Sequence, residues 1–206
     1  MATHPTLTHK LSRQWDRHAP SYDRMSEPME HMLGFAQARA RLFTGLSGTI
    51  LEVGVGTGRN LPHYPQDVRM IALDLSRGML ERAAYKARAL SRHVAFLAGD
   101  VEDLPFADAS LDAVVGSGVF CCVPDAARGF REIKRVLKPG GKIVLLEHIR
   151  PHGALGLLFD LLDPLVSRFM GPHINRRTLE SMRAAGLVIE HEENMHSNWV
   201  KLVVAR

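Results

Sequence analysis

Two acidic residues and three glycines have the spacing of a nucleoside-binding site. An apolar run leads into Glu52, and Gly54, Gly56 and Gly58 follow at alternate positions. Glycine lets the chain turn tightly after a buried strand and lets a ligand approach the backbone closely. Asp74 ends the next apolar run, at about the 20-residue interval by which a βαβ unit presents a carboxylate to a ribose. This segment is therefore predicted to bind a nucleoside.

The glycine spacing indicates which nucleoside. A dinucleotide site uses the spacing G-x-G-x-x-G, because the pyrophosphate must lie on a helix N-terminus. Here the spacing is G-x-G-x-G, and Glu52 stands two residues before the first glycine. A carboxylate at that place would repel pyrophosphate, but it suits the ammonium and sulfonium of S-adenosylmethionine. The segment resembles motif I of the class I S-adenosylmethionine-dependent methyltransferases, of the methyltransferase-11 type.

The resemblance covers residues 50–150 and implies roles for further residues. Asp74 and Met79 stand where the family contacts ribose and adenine, although Met79 could equally be a helix packing residue. Residues 99–106 match the segment at the adenine edge, and residues 135–148 match the segment that leads into the fifth strand. The cofactor would be S-adenosyl-L-methionine and its product S-adenosyl-L-homocysteine. The implied cofactor-binding residues are Tyr22, Glu52, Gly54, Gly56, Gly58, Asn60, Asp74, Leu75, Met79, Asp100, Val101, Glu102, Ser117 and Gly118.

Apolar runs that alternate with helical periodicities predict an α/β fold. We expect a Rossmann-like, seven-stranded, mostly parallel sheet with helices on both faces and an antiparallel pair at the C-terminal edge. Residues 1–45 are predicted to form a helical cap of the same domain, and residues 46–206 the methyltransferase core with an apolar lid insertion around 151–180. A second helix is expected over residues 29–43, with its methionines in the core. Asn175 is expected to cap a helix over residues 176–185.

Three residues are candidates for acceptor-side chemistry. Methyl transfer mainly requires the nucleophile and the methyl carbon to be held in line, and an amine acceptor must also lose a proton. Tyr22 in a predicted loop, and Glu147 and His148 at the end of the fifth strand, are the catalytic candidates. His148 could instead only position the acceptor by hydrogen bonding. Cys121 and Cys122 are interpreted as pocket lining, because the motif supplies no adjacent base.

Two apolar segments bear on the choice of acceptor. Over residues 6–17, Leu7, Leu11 and Trp15 share one helical face, which would lie either in an anionic membrane interface or on the protein's own core. Residues 154–170 are the most apolar stretch, and Pro164 interrupts them. This stretch would either cover a lipophilic acceptor or contact a bilayer, or it would be buried against the N-terminal helices.

Composition narrows the remaining function classes. The 206 residues carry a net charge of +4, with no run of about 18 apolar residues and no apolar signal-peptide core at the start. We expect a cytoplasmic protein, with the inner face of the membrane as a peripheral alternative. Two cysteines cannot form a structural zinc site, and no metal is expected. The chain has no basic run interleaved with aromatic residues, so no nucleic acid partner is expected.

The leading interpretation is a methyltransferase for a lipophilic or membrane-borne acceptor. The segment around Tyr22, the glycine loop and residues 123–125 resemble bacterial phosphatidylethanolamine N-methyltransferases. Residues 146–150, with Asp163, His173 and Thr178 downstream, resemble methyltransferase-like thiol methyltransferases. The headgroup amine of phosphatidylethanolamine is the leading candidate acceptor. The alternative is a soluble small molecule, methylated at a thiol sulfur, a quinone carbon or a phenol oxygen.

Overall fold

A seven-stranded mixed sheet forms the centre of the structure. The computed structural model describes residues 5–170, 172–195 and 199–206. The strands of the described residues are β1 (Thr49–Val53), β2 (Arg69–Asp74), β3 (Val94–Ala98), β4 (Leu111–Ser117), β5 (Leu137–His148), β6 (Ile189–Asn194) and β7 (Val200–Ala205). Their spatial order is β3-β2-β1-β4-β5-β7-β6; the first five are parallel, and β7 is antiparallel to both β5 and β6. The predicted fold class is confirmed.

Helices connect the strands and cover both faces of the sheet. They are α1 (Pro5–His18), α2 (Tyr22–Met32), α3 (Phe35–Ala38), α4 (Arg77–Ala89), α5 (Ala126–Val136), α6 (Gly153–Met170) and α7 (Thr178–Ala184), with 3₁₀ turns at Arg39–Phe43 and Leu61–His63. Phe130, Ile133 and Met182 from α5 and α7 belong to the core on one face. Leu80 and Ala83 from α4 belong to the core on the other. Because β1 lies between these layers, its apolar side chains are fully buried.

The prediction of one helix over residues 29–43 is wrong in the extent of the helix and in the burial of its methionines. The chain is broken at Gly34, whose φ of 71° is left-handed, so that α2, α3 and a 3₁₀ turn replace one continuous helix. Tyr22 begins α2 and does not lie in a loop. Met29 and Met32, predicted as core residues, are 44% and 62% exposed.

The helix predicted over residues 176–185 begins two residues later than expected. Its first residue is Thr178, and Asn175 does not cap it. The side-chain amide of Asn175 donates instead to Asp160 of α6 at 3.3 Å. A tertiary contact has thus replaced the local cap that the sequence indicated.

The strand order creates a crevice at the carboxyl edge of the sheet. β1 pairs with β2 on one side and with β4 on the other, so the connections after β1 and β4 diverge at this point. Open α/β sheets bind ligands at such a switch point. Gly54 follows β1 and Gly118 follows β4, which places both glycines at the crevice.

The apolar segment after β5 forms the long helix α6 beside this crevice. Its outward side carries leucines that are 40–76% exposed, so the alternative in which the segment is buried against the N-terminal helices does not describe this side. Among the helices in the described part of the chain, none combines the length and the hydropathy that crossing a bilayer requires.

Candidate functional site

Two adjoining cavities lie at the carboxyl edge of the sheet. The first, here called the glycine-loop cavity, lies between the loop after β1, the ends of β2 and β3, and α1. The second, here called the apolar cavity, has a volume of about 280 Å³ and lies between α2, α6 and the ends of β4 and β5. Both cavities are lined by Tyr22, Gly54, Gly56, Ser117 and Gly118. A group held in one is therefore adjacent to a group held in the other.

The three glycines of the loop have different surroundings. All three have positive φ, at 63° for Gly54, 55° for Gly56 and 80° for Gly58. A Cβ on Gly54 would lie 2.5 Å from the Val119 side chain. A Cβ on Gly56 would meet nothing within 4 Å, because this residue faces the cavities. Gly58 lines neither cavity and lies close to α4, so it serves packing and not the ligand.

Two carboxylates stand at the ends of neighbouring parallel strands. Asp74 accepts hydrogen bonds from the backbone N–H groups of Gly56 and Ser76, both at 2.8 Å, which ties the glycine loop to the end of β2. Burial raises the pKa of Asp74 above its ordinary value. Asp100, just beyond β3, accepts from the Thr8 hydroxyl at 3.1 Å and from the Glu102 N–H at 2.9 Å. Both aspartates line the glycine-loop cavity.

Helix α1 forms the roof of the glycine-loop cavity. Leu11 and Trp15 line that cavity, as the core-cap alternative predicted for this face; the side chain of Leu7 lies outside the described residues. The Ser12 hydroxyl donates to the Leu75 carbonyl at 3.1 Å. Asp16 accepts from the Ser76 hydroxyl at 2.6 Å and from the Gly78 N–H at 2.9 Å, and these bonds lower the pKa of Asp16. The motifs did not identify Thr8, Leu11 and Trp15 as lining residues; the amphipathic pattern of α1 was the available signal.

The glycine-loop cavity has the chemistry that a nucleoside with a methionine tail requires. Asp74 and Asp100 offer acceptors for ribose hydroxyls and an exocyclic amine, and Leu75, Met79 and Val101 offer apolar surface for a base. The open space beside Gly56 allows close approach to the backbone. The residues present therefore fit S-adenosylmethionine. The sequence-predicted residues that line this cavity are Tyr22, Gly54, Gly56, Asp74, Leu75, Met79, Asp100, Val101, Ser117 and Gly118.

Four predicted cofactor residues lie behind this lining, namely Glu52, Gly58, Asn60 and Glu102. Glu52 is 1% exposed and accepts from the Tyr64 hydroxyl and, at 2.8 Å, from the Asn60 amide. Burial raises the pKa of Glu52 to about 7. Glu102 accepts from the Asp125 N–H at 2.9 Å. Both acids thus support the site from behind, and neither faces either cavity.

Of the three catalytic candidates, His148 and Tyr22 reach the apolar cavity. The Nε2 atom of His148 lies 3.2 Å from the His173 carbonyl oxygen. Because a carbonyl can only accept, Nε2 carries the proton, and Nδ1 is an acceptor with no hydrogen-bond partner among the described residues. Burial lowers the pKa of His148, so its ring is neutral at pH 7. Burial raises the pKa of Tyr22, so its hydroxyl remains a hydrogen-bond donor and not a base.

The third candidate, Glu147, lines neither cavity. Its Oε1 accepts from the N–H groups of Val119 and Phe120, at 2.8 and 3.2 Å, and its buried Oε2 has no hydrogen-bond partner among the described residues. Burial raises the pKa of Glu147 to about 7. Glu147 therefore holds the loop after β4, and the structure does not bring it to the acceptor side.

Cys121 and Cys122 lie in the walls of the two cavities, Cys121 in the apolar cavity and Cys122 in the glycine-loop cavity. Their sulfur atoms are 3.5 Å apart. The hydrogen bond with Cys122 and burial raise the pKa of the Cys121 thiol well above its usual range. A thiol held in the neutral form is a poor nucleophile, so the geometry agrees with a lining role.

A network of paired charges attaches α2 to the glycine loop. Arg59 donates to Asp23 at 3.0 Å and to Glu30 at 2.9 Å, and Arg39 donates to Glu30 at 2.5 Å. Arg39 also donates to Asn60 at 2.7 Å. The polar wall of the apolar cavity is thus internally neutralised.

Comparison with known proteins identifies relatives that are methyltransferases. Residues 51–145 match the model of a family described as "Methyltransferase domain". Over 174 residues, which are 81% of this chain and 70% of the other, the chain is 32% identical to thiol S-methyltransferase TMT1B of Rattus norvegicus. Over 139 residues, 66% of this chain and 65% of the other, it is 32% identical to phosphatidylethanolamine N-methyltransferase of Cereibacter sphaeroides.

A solved structure has the same fold along the whole chain. It is geranyl diphosphate C-methyltransferase from Streptomyces coelicolor A3(2), in complex with Mg²⁺, geranyl diphosphate and S-adenosyl-L-homocysteine. The TM-score is 0.76 at 17% sequence identity, with 99% of each chain covered.

Proposed function

Because this chain belongs to the methyltransferase-domain family and is an S-adenosylmethionine-dependent methyltransferase, we propose that its acceptor is a neutral lipophilic thiol. The observation that carries the proposal is the apolar cavity, which adjoins the glycine-loop cavity and contains the neutral imidazole of His148. Thiol S-methyltransferases among the relatives support the same acceptor class.

The charges around the apolar cavity favour an uncharged acceptor. Glu30 is shared between Arg39 and Arg59, so its carboxylate is not available to bind the ammonium of a headgroup. Arg39 is paired with Glu30 and Arg59 with Asp23, so neither guanidinium is available to bind a phosphate. Most of the other lining side chains are apolar and come from methionine, leucine, isoleucine, phenylalanine, valine, proline and tryptophan residues. Burial of apolar surface would therefore supply most of the binding free energy.

Bound S-adenosylmethionine supplies a methyl carbon that is already activated by its sulfonium. The protein must hold a sulfur nucleophile in line with that carbon and remove the thiol proton. Nδ1 of His148 could accept this proton as the thiol sulfur takes the methyl group, the methyl–sulfonium bond breaks and S-adenosylhomocysteine leaves. Its hydrogen bond to the His173 carbonyl fixes the tautomer and would stabilise the imidazolium that results. Tyr22, which lines both cavities, can orient the acceptor through its hydroxyl.

A phospholipid headgroup amine is the second candidate acceptor. The exposed Met29 and Met32 at the wall of the apolar cavity favour a molecule that enters from an apolar environment. The relative from Cereibacter sphaeroides supports this candidate. Its weakness is the paired state of Glu30, because an ammonium would gain no free carboxylate.

Transfer of labelled methyl groups from S-adenosylmethionine distinguishes the two candidates. We would offer alkanethiols of increasing chain length, 2-mercaptoethanol, and vesicles that contain phosphatidylethanolamine. We expect kcat/KM to rise with chain length among the thiols, with no label in the lipid headgroup. Label in mono- and dimethylated phosphatidylethanolamine, with none in any thiol, would refute the thiol proposal.

A His148→Gln variant tests the proposed base. We expect kcat for the thiol to fall by about 100-fold, the range of a lost general base, with unchanged affinity for S-adenosylhomocysteine. His152→Gln, an exposed histidine nearby in the chain, is the matched control and should retain activity. In the wild type, the lowered pKa of His148 keeps the base neutral down to below pH 6.5, so activity should be lost only as the pH falls through that lowered value. A variant with full activity would leave His148 a positioning residue at most.

A further inference from the structure

The outward side of α6 is exceptionally apolar for a surface helix. Among the residues of α6 whose side chains the structure describes, all the exposed ones are uncharged. Most of this surface belongs to leucines, among which Leu157 is 67% and Leu161 76% exposed. The exposed leucines are Leu155, Leu157, Leu158, Leu161, Leu162 and Leu165. An apolar patch of this kind on a monomer usually marks an interaction surface.

The acidic residues of α6 are held by other parts of the protein. Asp160 pairs with Arg150 at 2.6 Å. Asp163, 7% exposed, contacts the His173 ring nitrogen at 2.8 Å and accepts from the Ile174 N–H at 2.7 Å. Asp163 is thus buried and Asp160 is paired, whereas the leucines face outward, unlike the polar outer face of a helix that faces water.

The leucine surface continues into the apolar cavity. Phe159 and Val166 of α6 line the cavity, as do Met29 and Met32 of α2. Because those two methionines are 44% and 62% exposed, they mark the mouth between α2 and α6. The same helix therefore carries the leucine surface on its outward side and part of the cavity lining through Phe159 and Val166.

Helix α1 carries exposed positive charge. Lys10, Arg13 and Arg17 are exposed on α1, and within the described residues none of the three forms an ion pair. α1 lines the glycine-loop cavity and α6 lines the adjoining apolar cavity, so both helices border the carboxyl edge of the sheet. Basic side chains near an apolar surface strengthen the attraction for anionic lipid.

We propose that α6 and α2 dock this edge of the protein on an anionic bilayer, so that the acceptor enters the apolar cavity from the membrane. The inference rests on the lipophilic acceptor of the proposed function and deepens it. The face that inserts is the leucine side of α6, because Leu11 and Trp15 of α1 are occupied by the glycine-loop cavity. A second copy of the chain on the same surface would instead close the mouth between α2 and α6.

Co-sedimentation with vesicles tests the docking surface. The full chain would be mixed with vesicles of phosphatidylcholine and phosphatidylglycerol at 3:1, and with vesicles of phosphatidylcholine alone. We expect binding that is stronger to the anionic vesicles and a decrease of at least about tenfold in Leu157→Glu/Leu161→Glu. Val188→Glu, which alters a residue 68% exposed just before the edge strand β6, is the control and should bind as the wild type does. Lys10→Glu/Arg13→Glu/Arg17→Glu should lose the preference for anionic lipid.

Vesicle binding and thiol turnover, measured separately, distinguish this inference from the proposed function. Melting temperature and S-adenosylhomocysteine affinity should be unchanged in the leucine variant, and so should turnover of a short soluble thiol. Vesicle binding with no thiol turnover in any variant would support docking and refute the thiol acceptor. Equal sedimentation of the wild type and the leucine variant would overturn docking. A dimer that the leucine variant abolishes, without vesicle binding, would equally overturn it.

Discussion

At the scale of single residues, the role of a glycine depends on what its missing side chain would meet. Gly56 and Gly58 both have positive φ, so alanine costs each about 1 kcal/mol of backbone strain. At Gly58 the new Cβ would also collide with the Leu61 side chain and approach the Ala83 Cα to 3.2 Å. We therefore expect Gly58→Ala to lower the free energy of unfolding by about 3 kcal/mol. Gly56→Ala should lower it by only about 1 kcal/mol.

Binding should show the opposite order. The Cβ of Gly56→Ala would enter the space beside both cavities, so we expect S-adenosylhomocysteine to bind at least about tenfold more weakly. Gly58→Ala, assayed where it is folded, should bind nearly as the wild type does. Urea unfolding and titration calorimetry on both variants measure the two effects. The same loss of affinity in both would contradict the separation of roles.

The sequence identified the lining carboxylates but could not show where each acid points. Asp74 and Asp100 follow directly on predicted strands, and strand ends meet at the ligand edge of an open sheet. Glu52 is also close to that edge, but its side chain turns to Tyr64 and Asn60. Glu147 and His148 are adjacent at the end of β5, and alternation sends them to opposite sides. Such choices depend on tertiary partners that no motif specifies.

At the scale of elements, the position of α2 depends on Arg59. Its guanidinium reaches Asp23 and Glu30 on α2 from the loop after β1, with the side chain only 19% exposed. Arg59→Met would leave both carboxylates without this partner, and we expect a loss of about 2 kcal/mol in stability. We also expect faster amide hydrogen exchange in α2 and a higher KM for the acceptor.

Arg41→Met is the matched control for this prediction. Arg41 pairs with Glu193 at 2.6 Å, but both side chains are well exposed, at 44% and 37%. An ion pair between exposed side chains contributes little to stability, so this variant should leave stability, amide exchange in α2 and KM nearly unchanged. Similar effects of the two substitutions would contradict the prediction that the ion pairs of Arg59 hold α2 on the glycine loop.

Helices and strands could be predicted where the hydrophobic periodicity extends over many residues. They could not be predicted where a single residue determines the boundary of the element. Residues 6–17 carry a clear helical pattern and lie within α1. The break between α2 and α3 depends on the single left-handed Gly34. The start of α7 depends on Asn175 being bound to Asp160. Local pattern carries no information on such long-range competition.

At the scale of the whole molecule, two buried acids make stability depend on pH. Burial raises the pKa of Glu52 on β1 and of Glu147 on β5 from 4.5 to about 7. When the folded pKa lies above the unfolded value, the folded state binds more protons between the two. The contribution of each acid is therefore fully favourable below pH 4.5 and is lost as the pH rises through about 7.

Glu147→Gln isolates this effect, because the amide oxygen of glutamine can still accept from Val119 and Phe120. The variant cannot ionise, so its stability relative to the wild type should improve by roughly 2 kcal/mol between pH 5 and pH 8. Urea unfolding at the two pH values measures the difference, and contributions from the histidines cancel in it. Glu81→Gln, at an exposed position on α4, should show no such change. A difference that does not vary with pH would mean that Glu147 is ionised in the folded protein. Its Oε2, which has no hydrogen-bond partner in the described part of the chain, would then require a cation or a water molecule beside it.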